Sequence, residues 1–177
     1  MQKNSQLIAL VNDKDQVIDY AEKQYVHEEG LLHRAFSIIV FNDNNDILLH
    51  QRAITKYHTP GLWTNTCCSH LIEGMNMEEC THDRLQMEMG FDCDLDFQFS
   101  FTYKIEFDNG LTEHETDHVY FGNWNGIPNP NIDEVMGYKW INPKDLLKDV
   151  ERNPDKFTYW FKHILNNFPD KILKFNA

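Results

Sequence analysis

Basic side chains are scarce. The 177-residue chain carries 16 lysines and arginines against 28 aspartates and glutamates, for a formal net charge of −12. So acidic a surface excludes non-specific attraction to nucleic acid or to an anionic membrane. An anionic ligand would have to be held by a few well-placed cations. Long apolar runs are also missing; none approaches the roughly 20 residues a membrane-crossing helix needs. The N-terminal stretch "MQKNSQLIALVNDKD" turns polar after Val11 and has no small-residue cleavage site, so it does not read as a secretory signal. A cytoplasmic address is expected. Cysteine is sparse, with four in all. Cys67 and Cys68 are adjacent, and Cys80 and Cys93 make no Cys-x-x-Cys pair with them or with each other. That argues against a disulfide framework and against a four-cysteine zinc site, and reduced thiols are expected. Internal repeats and low-complexity linkers are absent, so residues 1–177 read as a single domain.

What is present alternates in a recognisable way. "LIALVND" and "QVIDYA" flank a polar turn at Asn12–Asp15 and predict a hairpin. "AFSIIVF" and "ILLHQRA" flank Asn42–Asp46 and predict a second. "FQFSFTYKIEF" alternates aromatic and polar residues as a strand does, and Asn109-Gly110 turns the chain towards a partner strand in "DHVYFGNW". A helix is predicted from Asn76 to Met89, with Asn76 and Glu79 as a capping box and Gly90 as the stop. Val135 to Ile141 reads as a strand. Asn142-Pro143 and Asn153-Pro154 each give the start signal of a C-terminal helix. The sum is a mixed α/β sandwich, a central sheet with helices packed on it.

Several polar residues then stand out. His27 and His33 flank "EEGLL", His70 closes "WTNTCCSH", and Glu113 and Glu115 lie two apart in "TEHET". Period two on a strand puts both carboxylates on one face. Three imidazoles and two carboxylates can ligate a divalent ion such as zinc or manganese. Taken singly, each also fits a plainer role: a solvated histidine, or the wet face of an edge strand. Cys68 alone equally fits a small buried hydrophobe. Lys23, Arg52, Lys56 and Arg84 are simple surface charges unless the fold gathers them around a phosphate or diphosphate.

Together, "LLHRAFSIIVFN", "QRAITKYHTPGLWTNTCCSH", "EMGF", "GLTEHETDHV" and "DEVMGYKW" resemble the type 1 isopentenyl-diphosphate Δ-isomerases of the Nudix superfamily, in the family's order and over nearly the whole chain. The resemblance implies a Nudix-like mixed-sheet α/β/α sandwich. Residues 1–30 would form an N-terminal hairpin and ligand-bearing segment, and 142–177 the C-terminal helices. The reaction implied is conversion of isopentenyl diphosphate to dimethylallyl diphosphate, with Cys68 as the catalytic thiol and Glu115 as its partner acid–base, coupled to Tyr103. In the forward direction Glu115 is expected to donate first and Cys68, as thiolate, to remove the second proton. His27, His33, His70, Glu113 and Glu115 match the ligands of one Mn²⁺ or Zn²⁺. Glu88 matches a ligand of Mg²⁺ bound with the substrate diphosphate. Lys23, Arg52, Lys56 and Arg84 match diphosphate-binding positions, and Trp160 an aromatic facing the hydrocarbon end. No nucleic-acid or membrane partner is implied, and a monomer or weak homodimer is expected.

The chain departs from the hydrolytic members of that superfamily. Aligned on Gly90-Phe91, the positions where the Nudix box carries Gly, Glu, Arg-Glu and Glu-Glu hold Ser69, Met75, Asp83-Arg84 and Met87-Glu88. Most carboxylates for pyrophosphate cleavage are gone. That weighs against the alternative, a Nudix hydrolase of a nucleoside diphosphate derivative. It suits an isomerase, which keeps its diphosphate intact.

Overall fold

A computed structural model of the chain describes residues 6–56 and 58–175. Its strands form one nine-stranded mixed sheet. The N-terminal hairpin is β1 (Leu7–Val11) and β2 (Val17–Glu22), and the pair runs antiparallel. The organising strand is β3 (His33–Phe41). On one side β3 pairs in parallel with β8 (Thr112–Asn123) through nine consecutive partners, His33↔Glu115 to Phe41↔Asn123. On the other it pairs antiparallel with β6 (Cys67–His70), placing Ser37 beside Cys68 and Ala35 beside His70. Beyond these lie β7 (Leu95–Glu106) on β8, and β4 (Ile47–Arg52) with β5 (Trp63–Thr64) and β9 (Val135–Ile141).

Alternation along β3 decides what each face does. Phe36, Ile38 and Val40 pack with Cys67, Cys80, Leu85 and Met89 beneath α2 (Met77–Met89). Ile39 and Phe41 face the other way, against Val119, Phe121 and the C-terminal helices α3 (Pro143–Arg152), α4 (Tyr159–Asn167) and α5 (Pro169–Lys174). The two adjacent cysteines follow the same rule: Cys67 belongs to the first cluster and Cys68 packs against the second. The result is the expected α/β sandwich. All four cysteines are free thiols. Among the described residues no helix is long and apolar enough to cross a membrane.

The expected hairpins, the Asn76-capped helix and the Val135–Ile141 strand are present. The capping box closes both ways, with Glu79 N–H donating to Asn76 Oδ1 at 3.0 Å and Asn76 N–H to Glu79 Oε2 at 2.8 Å. Several elements differ, among them β5, β6 and α5, which the sequence reading did not contain. A seven-residue helix, α1 (Lys23–Glu29), was not anticipated, because it is too short for periodicity to reveal. β8 starts at Thr112, before "DHVY", since β7 offers partners that far back. Asn153-Pro154 opens only a 3₁₀ turn over Pro154–Lys156, and the helix starts after Thr158. The chain first pauses in extended form there, where Phe157 bridges Trp63 and Thr158 N–H donates to the Trp63 carbonyl at 3.0 Å.

Gly90 fixes how the chain leaves α2. Its φ is +75°, and a Cβ there would lie 2.2 Å from the Asn129 carbonyl oxygen. Gly90→Ala should therefore cost about 1–3 kcal/mol from backbone strain and clash. A thermal melt lowered by about 2–4 °C for each kcal/mol checks this, and an unchanged melting temperature would refute it.

Candidate active site

The interior face of the sheet is apolar at one end and polar at the other. Along β8 the odd-numbered residues run Glu113, Glu115, Asp117, Val119, Phe121, all buried. Along β3 the corresponding residues are His33, Ala35, Ser37, Ile39 and Phe41. Val119, Phe121, Ile39 and Phe41 are core; the polar members turn the same face into a cavity. That cavity is lined by Cys68, His70, Glu113, Glu115, Trp160 and the side chains of Lys23, Arg52, Lys56, Arg84 and Glu88, among others.

The histidines converge at one end. His27, His33, His70 and Glu115 place one donor atom each within 4.8 Å of one another, and all four are buried. α1 supplies His27, whose Nδ1 lies 2.6 Å from the Lys23 carbonyl one turn back. His33 Nδ1 lies 2.8 Å from the Leu31 carbonyl. A carbonyl only accepts, so each Nδ1 carries a hydrogen. His33 Nε2 stands 3.3 Å from Glu115 Oε1 without hydrogen-bond geometry, and His70 Nε2 stands 3.1 Å from the same oxygen. Burial and the neighbouring His33 lower the His27 pKa to about 4. Burial, with Lys23 nearby, holds His70 well below its usual range. Buried imidazoles, two of them tethered to backbone carbonyls through Nδ1, and one carboxylate fit a divalent cation with nitrogen and oxygen ligands.

Glu113 is turned elsewhere and is not one of these four. Its Oε1 is 2.6 Å from His58 Nε2, and its Oε2 accepts from the Tyr103 hydroxyl at 2.9 Å. Tyr103 also reaches Glu115 Oε2 at 2.7 Å. Burial and the two glutamates push its pKa well above the phenolic value, so it stays a hydroxyl. One hydroxyl proton cannot serve two carboxylates at once. For Glu115, burial favours the neutral acid, but His33 and His70 outweigh it and hold the carboxyl well below its ordinary range.

Cys68 lines the same cavity as Glu115. Burial, reinforced by Glu88, Glu115 and Asp117 against the pull of Arg52, pushes its thiol up to about 12. It is a thiol at neutral pH. Cys67 is buried on the α2 side, its Sγ 3.5 Å from Glu88 Oε2.

The four cations line the same cavity. Burial and then Lys56, Arg84 and Arg52 lower the pKa of Lys23, which shows how closely the quartet is drawn together. Arg84 is ion-paired with Glu88 one helical turn along α2. Trp160, on α4, lies with its ring centroid 5.3 Å from the Arg52 guanidinium. Every residue singled out in the sequence thus falls at or beside one cavity. The sequence reading missed His58, Ser37, Asp117 and Glu134. Asp117 was within reach of it, being two residues beyond Glu115 on the same face. It accepts from Ser37 Oγ at 2.8 Å. His58 and Glu134 had no local signal, since their partners are 55 and 78 residues away.

A family model for the NUDIX domain matches residues 31–161. Isopentenyl-diphosphate Delta-isomerase 2 of Photorhabdus laumondii is 46% identical over 161 residues, 91% of each chain. Isopentenyl-diphosphate Delta-isomerase of Pectobacterium atrosepticum is 42% identical, covering 92% of this chain and 91% of its own length. Among solved structures, a Deinococcus radiodurans protein superposes with a TM-score of 0.75 at 15% identity, over 91% of this chain and 98% of that one. A MutT protein of Methanosarcina mazei gives 0.66 at 13% identity, over 79% and 94%. Likeness at such identities speaks for the fold alone.

The buried imidazoles make folding pH-dependent. Between about 6.5 and 4 the unfolded chain protonates His27 while the folded chain does not, so stability falls as pH drops through that window. The slope should be about 1.4 kcal/mol per pH unit for each histidine so held. Urea denaturation from pH 7 downward should show it, and His27→Gln should flatten it. An equal slope in the variant would refute the assignment.

Proposed function

The chain belongs to the Nudix family and, within it, to the isopentenyl-diphosphate Delta-isomerases, so its activity is isoprenoid isomerisation, and we propose that Cys68 and Glu115 are the pair that carries it out. The observation that supports this most is that both groups line one cavity together with four cations and Trp160.

The substrate class sets the demands. Isopentenyl diphosphate has an unactivated double bond. To move it, one proton is added to the terminal carbon and one is taken from C2, with a tertiary carbocation between. Each step needs a group held against the reacting carbon, and general acid–base catalysis of this kind is worth about 10²–10⁴-fold. Cys68 and Glu115 would flank the olefin. Whichever gives the first proton, the other removes the second, so the pair ends with its proton exchanged. The resting charges, thiol on Cys68 and carboxylate on Glu115, form one state of that cycle. Glu115 acting first, the order expected from the sequence, starts from the complementary state. Tyr103 bridges Glu113 and Glu115 and can steady either form of the acid.

A carbocation must meet no water and has to be faced by electron-rich groups. Trp160 would offer its ring face, worth about 2 kcal/mol or more when desolvated. Lys23, Arg52, Lys56 and Arg84 would hold the diphosphate, and that remote binding positions the five-carbon end. His27, His33, His70 and Glu115 would hold a Mn²⁺ or Zn²⁺ ion, with Glu113 beside them, and Glu88 would serve a Mg²⁺ ion arriving with the diphosphate. When bound, the cation in the histidine cluster would supply positive charge that sets the acidity of the Glu115 carboxyl.

Incubation with isopentenyl diphosphate and magnesium in D₂O should place deuterium in dimethylallyl diphosphate, read by mass spectrometry. Its absence from metal-loaded protein would sink the reading. Cys68→Ala and Glu115→Gln should each lower turnover by roughly 10²–10⁴-fold or more while keeping a cooperative melt. Near-native turnover in either would remove that residue from the chemistry.

A further inference from the structure

Glu134 stands beside two members of the cationic quartet with no role in the scheme above. It lies in the turn between β8 and β9, its side chain 24% exposed. Its carboxylate is ion-paired with Lys56, and Oε1 lies 3.8 Å from Arg84 Nη2. Two members of the cationic quartet therefore meet on this one side chain.

The placement is built by the backbone. Asn131 N–H donates to the Glu88 carbonyl at 2.9 Å, pinning the turn to the end of α2. Glu134 N–H and Val135 N–H both donate to the Asn131 carbonyl, at 3.0 and 2.9 Å. Ala53 N–H donates to the Glu134 carbonyl at 2.9 Å, pinning the turn to the loop that carries Lys56. The turn is thus clamped between the segments bearing Arg84 and Lys56. Among the charges that hold the Glu134 carboxyl below its usual range, against burial, are Lys56, Arg84 and Lys23.

We propose that Glu134 is a tethered stand-in for the diphosphate: its carboxylate neutralises Lys56 and reaches towards Arg84, which Glu88 also holds, until the substrate anion displaces it from them. The inference rests on reading the basic quartet as the diphosphate cradle. One carboxylate offers a single negative charge and two oxygens. A diphosphate offers more of both, so it wins the exchange, whereas a weaker anion does not. Glu134 thereby raises the threshold an anion must pass to enter, and its removal should tighten anion binding rather than weaken it.

Isothermal titration calorimetry of the full chain with inorganic pyrophosphate tests this. Glu134→Gln keeps the shape and removes the charge, and should bind pyrophosphate roughly two- to fivefold more tightly than the parent. Glu134→Asp keeps the charge on a shorter arm and should fall between. Equal or weaker binding by Glu134→Gln would overturn the proposal. The isomerisation assay on the parent separates the two levels. Turnover together with unchanged pyrophosphate affinity in the variant sinks only the role of Glu134. Loss of both turnover and pyrophosphate binding in the parent sinks the cradle, and this inference with it.

Discussion

The register of β8 and β6 on β3 is the constraint on which the site depends. His33 pairs with Glu115, Ala35 with both His70 and Asp117, and Ser37 with Cys68. Side chains on a strand alternate between faces, so a slip of one residue would turn Glu113, Glu115 and Asp117 out of the cavity together. The apolar half of the same strands prevents that slip. Ile39, Phe41, Val119 and Phe121 are fully buried against the C-terminal helices, and a slip would expose all of them. The core thus does more than hold the fold together; it sets the phase of the catalytic face.

Electrostatics then divides the cavity into regions of different character. A chain of net charge −12 concentrates four of its few cations around one cavity and balances two of them with Glu88 and Glu134. Burial keeps the His27 and His70 imidazoles neutral and the Cys68 sulfur protonated. Neutral nitrogen lone pairs suit a metal, and a protonated sulfur sharing a cavity with a carboxylate suits proton exchange. Both follow from the same cause, the removal of water from one end of a sheet face.

The Nudix scaffold serves different chemistry here by subtraction. The helix that carries a row of carboxylates in the hydrolases retains Glu88 and sets Arg84 beside it. With one acid where several would hold magnesium for hydrolysis, the helix is suited to gripping a diphosphate rather than cleaving it. The proposed reacting groups, Cys68 and Glu115, lie instead on β6 and β8. Fold alone would not distinguish these uses, since the solved structures that superpose well are only 13–15% identical.

Local sequence determined every strand but β5 and β6, the capped helix α2 and the parity of Glu113 and Glu115, because alternation, capping boxes and Asn-Gly turns act over a few residues. The motifs around Cys68 and Glu115 carried the family resemblance for the same reason, being contiguous. Helix α1 escaped, since seven residues hold too few turns to show a period. Only the tertiary structure decided that Glu113 turns to His58 while Glu115 joins the three histidines, and that Glu134 closes on Lys56 and Arg84. Those choices depend on which side chains from distant segments share a desolvated volume. No run of neighbouring residues encodes that; it exists only once the sheet has closed over them.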